Sequence, residues 1–117
     1  MKAGSTAVLA LAGAVVAAFA AAGNAALAAD ISAGRGKAIL CQACHGIDGL
    51  SKVPEAPNIA GQTESYLATQ LRAFRAGTRV NETMSVVTST LSDTDVDNLA
   101  AYFSAIEIRI VKVPGGQ

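Results

Sequence analysis

Within the stretch "AILCQACHGIDGLS", Cys41, Cys44 and His45 bring together both cysteines and the only histidine of the chain. Three chemistries compete for such a cluster. Zinc takes four ligands in a tetrahedron, and beyond these three only carboxylates remain to complete one. A redox dithiol wants its first cysteine at a helix N-terminus after a strand, where the helix dipole lowers the thiol pKa; here the motif comes late in a predicted helix with no strand before it. In the third reading the two thiols, one helical turn apart, each add to one vinyl group on a porphyrin edge, and the next residue, His45, falls under the iron. This covalent haem reading uses all three residues in their order and spacing, and the sequence favours it.

Iron held by His45 has a second axial face. No other histidine exists, and methionine occurs only at Met1 and Met84. Met84, on a predicted loop well down the chain, is therefore the thioether that can reach that face. A lone methionine is otherwise ordinary core filling, but a His/Met pair is a regular ligation for c-type haem.

The N-terminus bears on where this chemistry takes place. "MKAGSTAVLALAGAVVAAFAAAGNAALAAD" has one early cation, Lys2, a run dominated by Ala, Val, Leu and Gly, small residues at Ala26 and Ala28, and its first acid at Asp30. That pattern is a secretory signal peptide over residues 1–28. An uncleaved anchor is the alternative, since Ala3 to Ala22 approaches a span of about 20 residues, but alanine drives insertion weakly.

Cleavage removes Lys2 and no acid, which leaves eight basic residues against nine acidic ones. Neither nucleic-acid binding nor a polybasic membrane patch suits that balance. Much of the 51% apolar content also belongs to the leader. Export places the cysteines in an oxidising compartment, where a pair usually reads as a disulfide, yet two intervening residues make a tight, strained ring.

The elements that must position the cluster are helical, so the fold class is all-α. A first helix starts near Ile31 or Ser32 and runs through "AGRGKAILCQAC", with Gly34 suited to a close packing contact. The loop "GIDGLSKVPEAPNIAGQ" is too long and too rich in Gly and Pro to be regular, and needs something to wrap around. A second helix follows Thr63 as N-cap, shows Tyr66, Leu67, Gln70, Leu71 and Phe74 at helical spacing, and stops at Gly77. "TRVNETM" reads as a loop and "SVVTSTL" as a short turn or helix. The third helix opens at Ser92 with Asp95 in the capping-box position; its apolar face is Val96, Leu99, Ala100, Phe103 and Ile106, with Tyr102 alongside. With no Trp and so few large side chains, a core of this size asks for a staple or a large apolar cofactor.

"CQACHGIDG", "PEAPNIAGQ", "YLATQLRAFRAGTR", "NETM" and "LSDTDVDNLAAYF" together resemble a class I cytochrome c, of the small monohaem bacterial type that is also similar to one half of the dihaem periplasmic cytochromes. The resemblance implies three main helices plus a short one wrapped around one covalently bound haem c, in a domain over residues 29–106 followed by a tail over 107–117. It implies that the Pro57 carbonyl accepts a hydrogen bond from the haem histidine, that Ile59 packs on the haem face, and that Gly34 marks the crossing of the first and last helices, with Leu99 and Tyr102 opposite. The tail "IEIRIVKVPGGQ" runs past the usual stop. Its alternation of Ile108, Ile110 and Val113 with Arg109 and Lys112 suits a short strand or an extended arm, and a flexible tail is favoured over a docking segment.

With His45 and Met84 filling both axial positions, no site remains for a substrate on iron, so a periplasmic one-electron carrier is expected rather than an enzyme. The expected partners are redox proteins meeting the exposed haem edge near Gln42, Ala43, Ile47 and the segment from Asn81 to Ser85. A membrane enters only through a partner complex. Lys37, Lys52, Arg72, Arg75 and Arg79 serve as steering charges, propionate partners or solvated surface charges. The alternative function is a cytochrome subunit of a larger dehydrogenase or oxidase.

Overall fold

The computed structural model describes Met1 and residues 28–116; the expected signal peptide lies outside the described residues but for its two ends. Regular structure among the described residues is entirely helical. In chain order it comprises α1 (Ile31–Lys37), a 3-10 turn (Ala38–Leu40), α2 (Gln42–His45), α3 (Glu64–Ala76), α4 (Glu82–Thr88) and α5 (Asp93–Ser104). No helix among these residues is long and apolar enough to cross a membrane.

The helix starts follow from local chemistry. Asp30 caps α1, its Oδ1 accepting from the Ser32 N–H at 2.8 Å and the Ala33 N–H at 3.1 Å. At α5 the capping box is complete, with Ser92 Oγ accepting from the Asp95 N–H at 3.0 Å and Asp95 Oδ2 accepting from the Ser92 N–H at 2.9 Å; each such cap satisfies amides that the helix itself cannot. Thr63 precedes α3 as expected, but its side chain makes no capping bond.

The expected single first helix is three pieces. After Lys37 the chain tightens, with the Cys41 N–H donating to the Ala38 carbonyl at 2.9 Å, and i to i+3 bonding rotates the following residues relative to an α-helix. Ala38 at that point is fully buried, whereas Ile39 and Leu40 stay about half exposed. Met84 differs too: it lies in the first turn of α4, not on a loop.

The core forms where α5 packs on both α1 and α3. It gathers Val96, Leu99, Ala100, Tyr102 and Phe103 of α5 with Leu67 and Ala68 of α3, Ala38 and Leu91. Every apolar position expected on the last helix is therefore inside or, for Ile106, packed against the cluster. Tyr102 and Phe103 meet edge to face at 5.0 Å, an arrangement that aromatic quadrupoles favour. Tyr66, expected on the apolar face of α3, is 47% exposed.

At the α1 and α5 crossing a Cβ on Gly34 would overlap the Asn98 carbonyl and stand 2.9 Å from Tyr102 Cβ. The nearest atoms belong to Asn98 and Tyr102, one turn apart. Asn98 also accepts from the Asp30 N–H through Oδ1 at 2.7 Å, so the start of α1 is tied to the helix it crosses. In the tail, residues 107–113 form neither strand nor helix, and Ile108, Ile110 and Val111 are 61%, 76% and 92% exposed.

Two substitutions in α1 are expected to act in opposite directions. Gly34→Ala lowers stability against urea by about 1–3 kcal/mol through overpacking, while Gly36→Ala, where a Cβ would meet nothing within 4 Å, raises it by about 0.5–1 kcal/mol through backbone entropy. A pH effect follows from Asp95, whose carboxyl is held below its usual range by the Ser92 N–H and by Lys37 at 3.0 Å. A depressed pKa adds stability above the unfolded value and loses it as pH falls through the folded value. Asp95→Asn is thus expected to be less stable than the parent chain at neutral pH, with the gap closing as urea titrations are taken to below about pH 4.

Candidate functional site

A cavity of about 500 Å³ opens between the segment after α1, the loop over residues 46–62, the inner face of α3 and α4. Its lining is predominantly apolar and includes the core residues Leu67, Leu91, Leu99 and Phe103. Core and cavity therefore share walls. Cys41, Cys44, His45, Pro57, Ile59 and Met84, all singled out from the sequence, line this one space.

His45 is the most constrained of them. Its side chain is buried, and Nδ1 lies 2.8 Å from the Pro57 carbonyl oxygen. A carbonyl only accepts, so Nδ1 donates, which leaves Nε2 for another partner. That bond orients the ring, as partners of ligating histidines do. The cysteines are thiols, not bridged to each other. Burial pushes the Cys41 thiol up to about 11, which keeps it protonated and neutral in an apolar wall.

The carbonyl of Pro57 is held in place by a loop that bonds to itself. Lys52 N–H donates to the Cys44 carbonyl at 2.8 Å, and Ile59 N–H to the Gly49 carbonyl at 2.8 Å. Asn58 Oδ1 accepts from the Ser51 N–H at 2.7 Å. Gly49 has φ +69°, and a Cβ there would fall 2.7 Å from the Ala60 nitrogen, so only glycine lets the two ends of the strap touch.

Met84 is set by two residues that the sequence reading left unremarked in this role. Asn81 caps α4, its Oδ1 accepting from the Met84 N–H at 2.9 Å. Thr88, wholly buried, donates from Oγ1 to the Met84 carbonyl at 2.7 Å. The signal for the first was present as an Asn followed by an acid, a common helix start; Thr88 has no comparable mark.

Other expected rim residues distribute differently. Gln42 and Ala43 are exposed beside the cysteines without lining the cavity, and Ile47 gives its carbonyl to Tyr102 Oη at 2.7 Å. Of the five cations, Lys37, Lys52, Arg72 and Arg75 pair with Asp95, Asp48, Asp97 and Asp93, and only Arg79 lines the cavity.

Chemically, two thiols, an imidazole and, on another element, a thioether line this one cavity. That set fits a covalently attached porphyrin whose iron takes nitrogen and sulfur ligands. It does not fit tetrahedral zinc: no group of three or more His, Cys, Asp or Glu among the described residues could hold a metal ion.

Residues 33–106 match the profile of the Cytochrome c family. Cytochrome c4 of Pseudomonas aeruginosa is 41% identical over 83 residues, which cover 71% of this chain and 41% of that protein. Cytochrome c-554(548) of Halomonas halodenitrificans is 40% identical over 83 residues, covering 68% of this chain and 100% of that one. The crystal structure of reduced recombinant cytochrome c4 from Pseudomonas stutzeri superposes with a TM-score of 0.64 at 42% identity, over 68% of this chain and 47% of that one. The chain thus spans about half, or less, of the length of the cytochrome c4 proteins it matches.

Thr88→Val, which keeps the side-chain shape and removes the hydroxyl, is expected to cost about 0.5–1.5 kcal/mol in urea unfolding. A Thr88→Val variant as stable as the parent chain would show that the bond to Met84 adds nothing.

Proposed function

The chain belongs to the cytochrome c family, as a class I domain homologous to one haem-binding domain of dihaem cytochrome c4 proteins, and on that premise we propose that it is a periplasmic monohaem one-electron carrier. The observation that carries the reading is the His45 Nδ1 to Pro57 carbonyl bond, 2.8 Å long, beside a cavity that also takes Cys41, Cys44 and Met84.

Cys41 and Cys44 would hold haem c through thioether bonds, and His45 and Met84 would ligate its iron. Haem iron so ligated supplies a one-electron Fe(III)/Fe(II) couple. Pro57 keeps the imidazole in one orientation and one tautomer. Ile59, Leu99 and Phe103 exclude water from the cavity wall, and a dry, apolar surrounding favours the less charged reduced state. Asn81 and Thr88 hold the Met84 backbone at both its N–H and its carbonyl, which fixes the turn that carries the thioether.

Carriers of this kind meet redox partners through small, transient contacts. A stable subunit of a larger dehydrogenase or oxidase is the second reading, favoured by the exposed apolar tail at Ile108, Ile110 and Val111. Size-exclusion of the protein from its native periplasm separates the two: a persistent large complex overturns the free carrier.

Two outcomes test the proposal itself. Protein exported with its haem-attachment machinery is expected to begin near Ala29 and to carry one covalently bound haem by mass spectrometry. The reduced holoprotein is expected not to bind carbon monoxide. Met84→Ala is expected to bind it, with a reduction potential lower by on the order of 0.1 V, within the roughly 0.8 V range that axial ligands set. Carbon monoxide binding by the unmodified protein would overturn Met84 as a ligand.

A further inference from the structure

Resting on the reading of Met84 as an iron ligand, we infer that the buried hydroxyl of Thr88 is a positioning group for that ligand, the near end of a hydrogen-bonded strut that Arg75 anchors between α3 and α5. The element that carries Met84 is weak by itself. α4 has seven residues, well short of the roughly 12–15 below which isolated helices are marginal in water. Thr83, Val86, Val87 and Thr88 are β-branched, which lowers its helix propensity further. The place of Met84 therefore depends on ties to the rest of the molecule.

Those ties form a series. Met84, Thr88 and Leu91 follow one another at helical spacing, and all three line the cavity. The Thr88 hydroxyl donates to the Met84 carbonyl at 2.7 Å. The Thr88 carbonyl accepts from the Leu91 N–H at 3.1 Å, and the Leu91 carbonyl accepts from Arg75 Nη1 at 2.9 Å. The other arm of the guanidinium pairs with Asp93, the first residue of α5. A planar guanidinium holds two acceptors in one fixed geometry. Arg75 thus ties the end of α3, the core residue Leu91 and the start of α5 into one joint, and Thr88 connects that joint to Met84.

The hydroxyl is the link that packing does not require. Thr88 is wholly buried, and a valine would present nearly the same shape with no polar group to bury. Ser89 and Thr90 also return bonds to α4, their hydroxyls donating to the Val86 and Val87 carbonyls at 2.7 and 3.1 Å. Both residues are exposed, so water offers an equivalent partner and the net worth of each bond is small. Of the three hydroxyls, that of Thr88 alone is shielded from water and aimed at the residue that carries the thioether. Release of the thioether with movement of its turn breaks this bond, so the bond weighs against release.

The test titrates purified ferric holoprotein with imidazole, which takes the iron only from molecules that have released Met84, so its apparent affinity follows the released fraction. Thr88→Val is expected to keep its covalent haem and to bind imidazole about five- to tenfold more tightly than the parent chain, the change that loss of one shielded hydrogen bond brings. Thr88→Ser, which keeps the hydroxyl, is expected to stay within about twofold. Arg75→Gln, at the far end of the strut, is expected to bind about two- to threefold more tightly. Thr90→Val is expected to match the parent chain. Thr88→Ala replaces the valine variant should that one fail to fold. Parent-like imidazole affinity in Thr88→Val or in Arg75→Gln, even with a loss of stability against urea, overturns the inference while leaving the carrier reading intact, and so does an equal shift in Thr88→Ser or Thr90→Val. Should Met84→Ala bind imidazole no more tightly than the parent holoprotein, Met84 is not the ligand, and it is the reading beneath the inference that falls.

Discussion

The crossing of α1 over α5 is the constraint on which the rest of the molecule depends. Gly34 lets the backbones approach until the Asn98 carbonyl occupies the space a side chain would need. The same Asn98 holds the Asp30 amide, and Asp30 caps α1. Because Ala38, Cys41, Cys44 and His45 follow α1 without an intervening loop, the crossing sets where the thiols and the imidazole emerge. Tyr102, one turn beyond Asn98, extends the same contact by bonding the Ile47 carbonyl just after the histidine. A single close approach therefore registers the N-terminal segment against the core and the chemistry against both.

The core and the cavity are two uses of one set of side chains. Leu67, Leu91, Leu99 and Phe103 pack in the core cluster and also face the cavity. A small domain buries a modest share of its apolar surface, and this one places much of its interior around a space of about 500 Å³. A large apolar group there removes further area from water, at roughly 25 cal/mol per Å². The long loop after α2 makes sense in the same terms. It closes on itself through Gly49 and Ala60 and delivers the Pro57 carbonyl to His45, so its shape serves an atom position rather than a chain connection.

Charge is arranged around this apolar centre instead of inside it. Ion pairs tie α5 to α1 through Lys37 and Asp95 and to α3 through Arg72 with Asp97 and Arg75 with Asp93. They are partly exposed and individually weak; their effect is to leave little net charge near the site.

Much of this was legible in the sequence because it depends on short-range order. The spacing of Cys41, Cys44 and His45 identifies the chemistry, the scarcity of other ligands narrows the second axial partner to Met84, and the box at Ser92 and Asp95 marks α5 from local hydrogen bonding alone. The apolar positions of α5 follow from helical periodicity, and nearly all of them are buried. Other features depend on residues far apart in the chain. The break of the first helix after Lys37, the burial of Ala38 and the close contact at Asn98 exist only because α5 lies where it does. Met84 sits in a helix because Asn81 caps it and a buried Thr88 supports it, and the partial exposure of Tyr66 reflects a cavity that no periodicity encodes. Local spacing sets which atoms are available for chemistry, since covalent chain geometry fixes it; which of those atoms share one space was decided only by tertiary packing, since that depends on distances between elements.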